Sequence, residues 1–301
     1  MFCTDDREPV FLVEEGHIDQ MLRTAVAHGI APEDALIMAT LHPAEYHGLR
    51  HLGAIAPGYQ ADLVLLDDLK SFRVRAVLKR GRAPEYEKLE IPEWVRRTVN
   101  VAPLLDGAFA TPGARHIRVI KVVPGQLVTG CEVMEPTVED GQAVADVKRD
   151  VVKIAVVERH HSSGRVGTGF ATNVGLKRGA FASTVAHDAH NLVVMGVDDT
   201  DMRKCVERLV EIGGGVVVVI DGQVKGELAL PIAGLMSDAP LDEVHHDLVA
   251  MEKVLRENGV TWDAPFMCLS FLALSVIPEL KITDRGLVDV GRLELVPLAA
   301  D

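Results

Sequence analysis

The sequence predicts a mixed α/β and α+β fold, on three observations. Residues 15–40 repeat apolar side chains at helical spacing, residues 61–79 read as two short strands between glycine and proline turns, and residues beyond 115 alternate hairpin-like strands with long amphipathic helices. Between the second and third of these, Pro84, Pro92, Pro103 and Pro112 with scattered charge mark an irregular connector over residues 82–115, and the domain boundary is placed there.

The elements follow in order. Ile18, Met21, Leu22, Ala25 and Val26 share one face of a helix from about Glu15 to His28, closed by Gly29. A second short helix starts at Pro32, a favourable first-turn residue, and runs to Thr40. His42, His47 and His51 lie among Pro43 and Gly48, so a surface loop is expected rather than a common metal-binding face. Gly53 and Pro57-Gly58 supply turns, Ala61 to Leu66 a buried strand, and Val74 to Lys79 a second strand closed by Gly81. Past the connector, Ile117 to Val123 and Val151 to Val157 are strands, and Asp140-Gly141 is a tight hairpin turn. Asp199 or Thr200 caps a helix whose stripe is Met202, Cys205, Val206, Leu209 and Val210, ended at Gly213. Val216 to Ile220, Asp221-Gly222 and Gln223 to Leu230 form a second hairpin. A helix from about Leu241 to Asn258 buries Val244, Leu248, Met251 and Leu255 and stops at Gly259.

Composition narrows the function. The chain has 301 residues, 48% of them hydrophobic, with a formal charge of -13. That charge argues against a nucleic-acid partner, because neutralising phosphates requires clustered Lys and Arg. No basic amphipathic run suggests a membrane surface, and the most apolar runs, Val216 to Ile220 and Phe266 to Ile277, are too short to cross a bilayer. Cys3, Cys131, Cys205 and Cys268 are widely spaced with no C-x-x-C pair, which suits reduced thiols in a cytoplasmic protein.

Three stretches are richer than a fold requires. Glu158-Arg159-His160-His161 leads into the glycine-spaced run Gly164-Arg165-Val166-Gly167-Thr168-Gly169-Phe170; Ala186-His187-Asp188-Ala189-His190-Asn191 lies between apolar segments; Pro231-Ile232-Ala233-Gly234-Leu235-Met236-Ser237-Asp238 follows a strand. His187, Asp188 and His190 could bind a metal or hydrogen-bond a polar ligand, and the glycines around Arg165 could admit backbone amides to one. An i, i+3 histidine pair lacks a third ligand, so a polar network at a domain interface is the other reading.

The densest motif is in residues 41–81. Leu41-His42-Pro43-Ala44-Glu45 precedes Gly53-Ala54-Ile55-Ala56-Pro57-Gly58-Tyr59-Gln60-Ala61-Asp62-Leu63-Val64-Leu65-Leu66-Asp67. This G-x-I-x-x-G-x-x-A-D-L-V run resembles the end of an amidohydrolase-superfamily enzyme, where the chain leaves a metal-bearing (β/α) barrel for a small β-sandwich built partly from residues before the barrel. The three polar stretches, with Gly16-His17-Ile18-Asp19, Gly175 to Ala180, Glu211 to Gly215, Pro265 to Leu272 and Pro278 to Val288, are similar to the bacterial adenine deaminase family over nearly the whole chain. The resemblance implies three parts: residues 1–40 as the last strand and helix of the barrel, 41–114 as the sandwich return and connector, and 115–301 as a C-terminal α+β domain.

What the resemblance implies for chemistry is hydrolysis of adenine to hypoxanthine and ammonia, in adenine catabolism and purine salvage, with a divalent metal, manganese or iron, that lowers the pKa of its bound water. Phe2-Cys3-Thr4-Asp5-Asp6 matches the lip of the last barrel strand, which makes Asp5 the metal-contacting, proton-moving carboxylate, with Asp6 as the alternative. Alone, an Asp-Asp pair is the usual pattern of a solvated turn or helix cap. His17 could face the same pocket or stand exposed at a helix start. Arg165, His187, Asp188 and His190 are substrate or interface candidates. No H-x-H pair occurs, so the remaining ligands are expected in an N-terminal barrel portion of the same enzyme, of which this chain is the C-terminal part. A homo-oligomer is expected. The competing readings are another amidohydrolase, such as a deacetylase or cyclic-amide hydrolase, and a non-catalytic assembly or ligand-binding module.

Overall fold

The structure, a computed structural model, describes residues 1–85 and 90–300, and the chain divides into two units, Met1–Glu90 and Ile91–Asp301. Of the connector expected over 82–115, residues 86–89 lie outside the described residues.

The first unit is helical and then hairpin-like. Its elements are α1 (Pro9–Glu14), α2 (Ile18–Ala27), α3 (Pro32–Ala39), α4 (Leu41–Tyr46) and the antiparallel pair β1 (Leu63–Leu66) and β2 (Val74–Leu78). Its core joins Leu22 and Ala25 of α2 to Ala35 of α3 and Phe72, with Phe2 packed alongside. Four expectations need correction. No strand forms over Phe2 to Thr4: among the described residues only the Phe2 amide finds a backbone partner, the Met38 carbonyl at 2.9 Å, and a strand needs a ladder. The helix expected from Glu15 is α2 and starts only at Ile18, because Gly16, at φ +108, separates it from a further helix, α1, that ends at Glu14. His42 lies in α4 rather than a loop, because Pro43 falls in the first turn, where its missing N–H costs nothing. The strand from Ala61 is not buried, with Val64 58% and Leu65 44% exposed.

The second unit is built on an eight-stranded sheet. Its elements are β3 (Ile117–Val122), β4 (Thr129–Met134), β5 (Thr137–Glu139), β6 (Gln142–Val144), β7 (Val151–Val157), β8 (Val166–Thr172), β9 (Ala180–Ser183), β10 (Leu192–Gly196), α5 (Asp199–Glu211), β11 (Gly215–Ile220), β12 (Gln223–Ala229), α6 (Leu241–Glu257), α7 (Pro265–Phe271), β13 (Leu280–Thr283), β14 (Gly286–Asp289) and β15 (Glu294–Val296). The order is β12-β11-β9-β10-β7-β8-β3-β4, antiparallel throughout except for the β3–β8 pair. Strands β7, β9, β10 and β11 are buried along their whole length, so they read as apolar runs, interrupted at Lys153 of β7 and Ser183 of β9, rather than alternating ones.

Both faces are covered. Met202, Cys205, Val206 and Leu209 of α5 pack on Ala155, Val157, Ala180, Ala182, Val194, Val217 and Val219, and Ala143 of the β5–β6 hairpin meets Ile117, Val119 and Phe170. On the opposite face Phe181 makes edge contacts with Trp262 and with Phe266 of α7. The hairpin turns sit where expected: Asp140-Gly141 and Asp221-Gly222 all have positive φ, as a two-residue turn of matching twist requires. Three details differ. The cap of α5 is Asp198, whose carboxylate accepts from the Thr200 and Asp201 amides, placing it one or two residues before the expected caps Asp199 and Thr200. Val210 leaves the stripe and is 38% exposed. The glycines after Arg165 do not wait for a ligand. A Cβ on Gly167 would lie 2.0 Å from the Thr283 carbonyl oxygen and one on Gly169 3.0 Å from Leu287, so they admit the β13–β14 hairpin onto the sheet.

Candidate functional site

In the second unit the three polar stretches converge on one residue, Arg159. It follows directly on β7, is 1% exposed, and among the described residues no carboxylate pairs with its guanidinium. Its Nε donates to the His190 carbonyl, its Nη1 to the Thr98 carbonyl at 3.3 Å and its Nη2 to the Ala233 carbonyl at 3.2 Å. Burial pulls its pKa down to about 10, still far above neutrality, so it stays charged and cannot act as a base. Three segments distant in sequence are thus held by one planar donor whose geometry suits several carbonyls at once. Gly234 is required beside it, since a Cβ there would sit 2.8 Å from Nη1.

The neighbouring Glu158, 2% exposed, organises the turn after β7. Its Oε1 accepts from the amides of His160 (2.6 Å) and His161 (2.8 Å), and its Oε2 from the Ser163 amide (3.0 Å) and hydroxyl (2.7 Å). Burial pushes its pKa up, but these donors outweigh it and hold the carboxyl at about 2. The turn presents His160, whose Nε2 bonds the Ala189 carbonyl at 2.8 Å, so the 158–163 turn and the 186–191 loop are stitched together.

His187, Asp188 and His190 share that loop. The His187 ring stacks on Phe271 at 4.7 Å and lies 5.6 Å from the His190 ring, while Asp188 is exposed. The Nδ1 of His190 accepts the Ala186 amide at 3.3 Å. Burial foremost, then the positive groups around it, lowers the His190 pKa. Arg165 joins from the edge: its Nε donates to Asp284 at 2.7 Å, and the same carboxylate accepts from Asn191 at 3.2 Å. Asn191 in turn accepts the Arg159 amide at 3.2 Å. The arrangement is a polar network that fixes loops. Among the described residues no three His, Cys, Asp or Glu side chains converge as a metal site, so the metal reading of His187 and His190 finds no third ligand. A cavity of about 380 Å³ opens beside the turn, lined by Leu104, Leu105, Val157, Gly164 and Val166 among others. Its walls carry no polar side chain with which to read a heterocycle.

Asp5, Asp6 and His17 lie in the first unit. Both acids are exposed; Asp5 has φ 52 and accepts the Asp6 amide at 2.8 Å. His17 is exposed at the start of α2, with Nε2 3.2 Å from the Thr4 hydroxyl and its amide donating to Asp19 at 2.7 Å. Arg7 ties the segment down by donating to the Gly16 carbonyl and to Glu15, each at 2.7 Å. The acids therefore stand on a braced segment with their carboxylates toward solvent.

Sequence reasoning singled out the stretches but not their centre. Arg159 acts through backbone carbonyls, while Glu158, Asn191 and Asp284 accept from amides and side chains, and one signal for the first two was available: Glu-Arg directly after the buried strand Val151–Val157 puts charges where burial continues.

Comparison with known proteins adds two family matches. Residues 126–294 match the adenine deaminase C-terminal domain, and residues 1–84 match the amidohydrolase family. An adenine deaminase of Oleidesulfovibrio alaskensis is 46% identical over 302 residues, covering 99% of this chain and 53% of the relative. One of Archaeoglobus fulgidus is 45% identical, covering 100% and 53%, and an "adenine deaminase 2" of Carboxydothermus hydrogenoformans is 44% identical, covering 99% and 54%. The chain spans about half the length of the curated relatives it matches.

Proposed function

Because this chain belongs to the family defined by the adenine deaminase C-terminal domain, preceded by an amidohydrolase segment, we propose that it serves the hydrolysis of adenine to hypoxanthine and ammonia. The observation that carries the reading is the match itself: relatives named adenine deaminase align from end to end with this chain at 43–46% identity. The 126–294 domain gives a deacetylase or cyclic-amide hydrolase no comparable support.

Members of the amidohydrolase family generally use a divalent metal, here read as manganese or iron. The described residues of this chain do not by themselves fit such an ion, since Asp5 is a single carboxylate and no other ligands converge on it. In this reading the remaining ligands come from an N-terminal barrel portion, residues 1–40 complete that barrel, and residues 41–114 return to its β-sandwich. Asp5 carries protons at the reacting centre, with Asp6 as the alternative. His17, Arg165, His187, Asp188 and His190 are held in reserve as pocket or interface groups. A cytoplasmic homo-oligomer acting in purine salvage is the setting; for the compartment, the support is that no disulfide forms among the described residues.

The test is to complement this chain with the N-terminal half of the Oleidesulfovibrio relative and follow adenine by its ultraviolet spectrum. Hypoxanthine and ammonia formed in equal amounts support the proposal. Turnover of an N-acyl or cyclic amide with none of adenine would place the chain in another branch, and binding of adenine without any turnover would favour a non-catalytic module.

A further inference from the structure

The loop joining β9 to β10 is closed on itself through one imidazole. The Ala186 amide donates to Nδ1 of His190 at 3.3 Å, while the His190 amide donates to the Ala186 carbonyl at 2.6 Å. A ring nitrogen accepts only through its lone pair, so this imidazole is neutral and carries its proton on Nε2. We infer that Nδ1 of His190 is the latch of a pH-sensitive loop, residues 186–191, shut while the ring is neutral and released when it gains a proton. The reason is geometric: a protonated Nδ1 turns a hydrogen toward the hydrogen of the Ala186 amide, and the bond becomes a repulsion.

The surroundings sharpen the response. Arg159 holds the His190 carbonyl, the His187 ring is 5.6 Å away, and His160 adds a third neighbour; Asp188 alone on the loop favours the cation. Behind Arg159, Glu158 is already saturated by four donors, and Asp284 is bound to Asn191 and Arg165. From the α7 side, His187 stacks on Phe271, whose carbonyl accepts from Lys281. His160 donates from Nε2 to the Ala189 carbonyl and can do so in either charge state.

The direction follows from linkage. Burial and its positive neighbours hold His190 below the ordinary histidine value of 6.5 while the loop is shut, so the proton prefers the open loop. The latch is therefore fully engaged above about pH 6.5 and loses hold as pH falls below it, by at most about tenfold in opening per pH unit for one proton.

The experiment is amide hydrogen exchange on the intact chain between pH 8 and 5, corrected for intrinsic rates, beside ¹⁵N imidazole shifts. Protection over 186–191 should fall below pH 6.5 by up to about tenfold per unit while β9 and β10 keep theirs. His190→Asn should give protection that does not vary with pH, because Asn tolerates the φ of 48 found here and offers a non-titrating oxygen to the Ala186 amide. Flat protection in the wild type, a neutral ring protonated on Nδ1, or the same pH response in His190→Asn would each overturn the latch.

Discussion

Glu158 shows what one buried carboxylate does when every donor around it is fixed by the backbone. Replacing it with Gln keeps the shape but turns an N–H toward the Ser163 amide, and the chain should lose about 1–3 kcal/mol, read from urea midpoints. The pH dependence has a definite sign. The folded carboxyl sits near 2, below its ordinary 4.5, so its stabilisation is complete above pH 4.5 and disappears as pH falls from there toward 2. Thermal midpoints over that window should fall more steeply for the wild type than for Glu158→Gln. Asp5→Asn, in the complemented enzyme, should lower turnover by about a hundred- to ten-thousandfold with adenine affinity little changed, as for a lost proton carrier. Asp6→Asn should cost little; if it instead abolishes activity while Asp5→Asn retains it, the two acids exchange roles. At this scale the sequence was half legible. Histidines and acids stand out as letters, but Arg159 organises its neighbours through carbonyls of Thr98, His190 and Ala233, and carbonyls leave no mark in a sequence.

Helix α5 and strand β8 separate what periodicity can and cannot find. The α5 stripe and its glycine stop were readable because a helix half-exposed must alternate. Its cap was misjudged because Asp198, Asp199 and Thr200 all suit the position, and only backbone geometry decides among them. Asp198→Ala should cost about 1 kcal/mol and Thr200→Ala only a few tenths, compared by thermal melting. The glycine-spaced β8 reads on paper as a ligand loop, whereas its missing side chains make room for β13 and β14. Gly167→Ala should destabilise by about 3 kcal/mol or more in urea, since the clash at 2.0 Å is with backbone and cannot be relieved by a rotamer. Strands β9 and β10 escaped notice for the opposite reason, being short and buried on every side, with no polar beat to betray them.

Across the whole molecule, the large core lies entirely within residues 91–301, where α5 and the eight-stranded sheet share it. That fragment should fold by itself with a cooperative melt, and failure to do so would show that residues 1–90 are needed for its stability. The intact chain should keep no stoichiometric manganese through gel filtration, because one carboxylate does not retain an ion; tight retention would direct attention to residues so far assigned only to loops. The strand order also sets how the chain reaches this state. The β3–β4, β7–β8 and β11–β12 pairs close short loops, but β8 must find β3 across the intervening β4–β7 segment, and β9 must find β11 across β10 and α5. Such distant pairings form late. Until they do, the apolar ribbons Val151–Val157, charged only at Lys153, and Gly215–Ile220 wait with open edges, so renaturation from denaturant should be a race between docking and clumping, its yield dropping as protein concentration is raised.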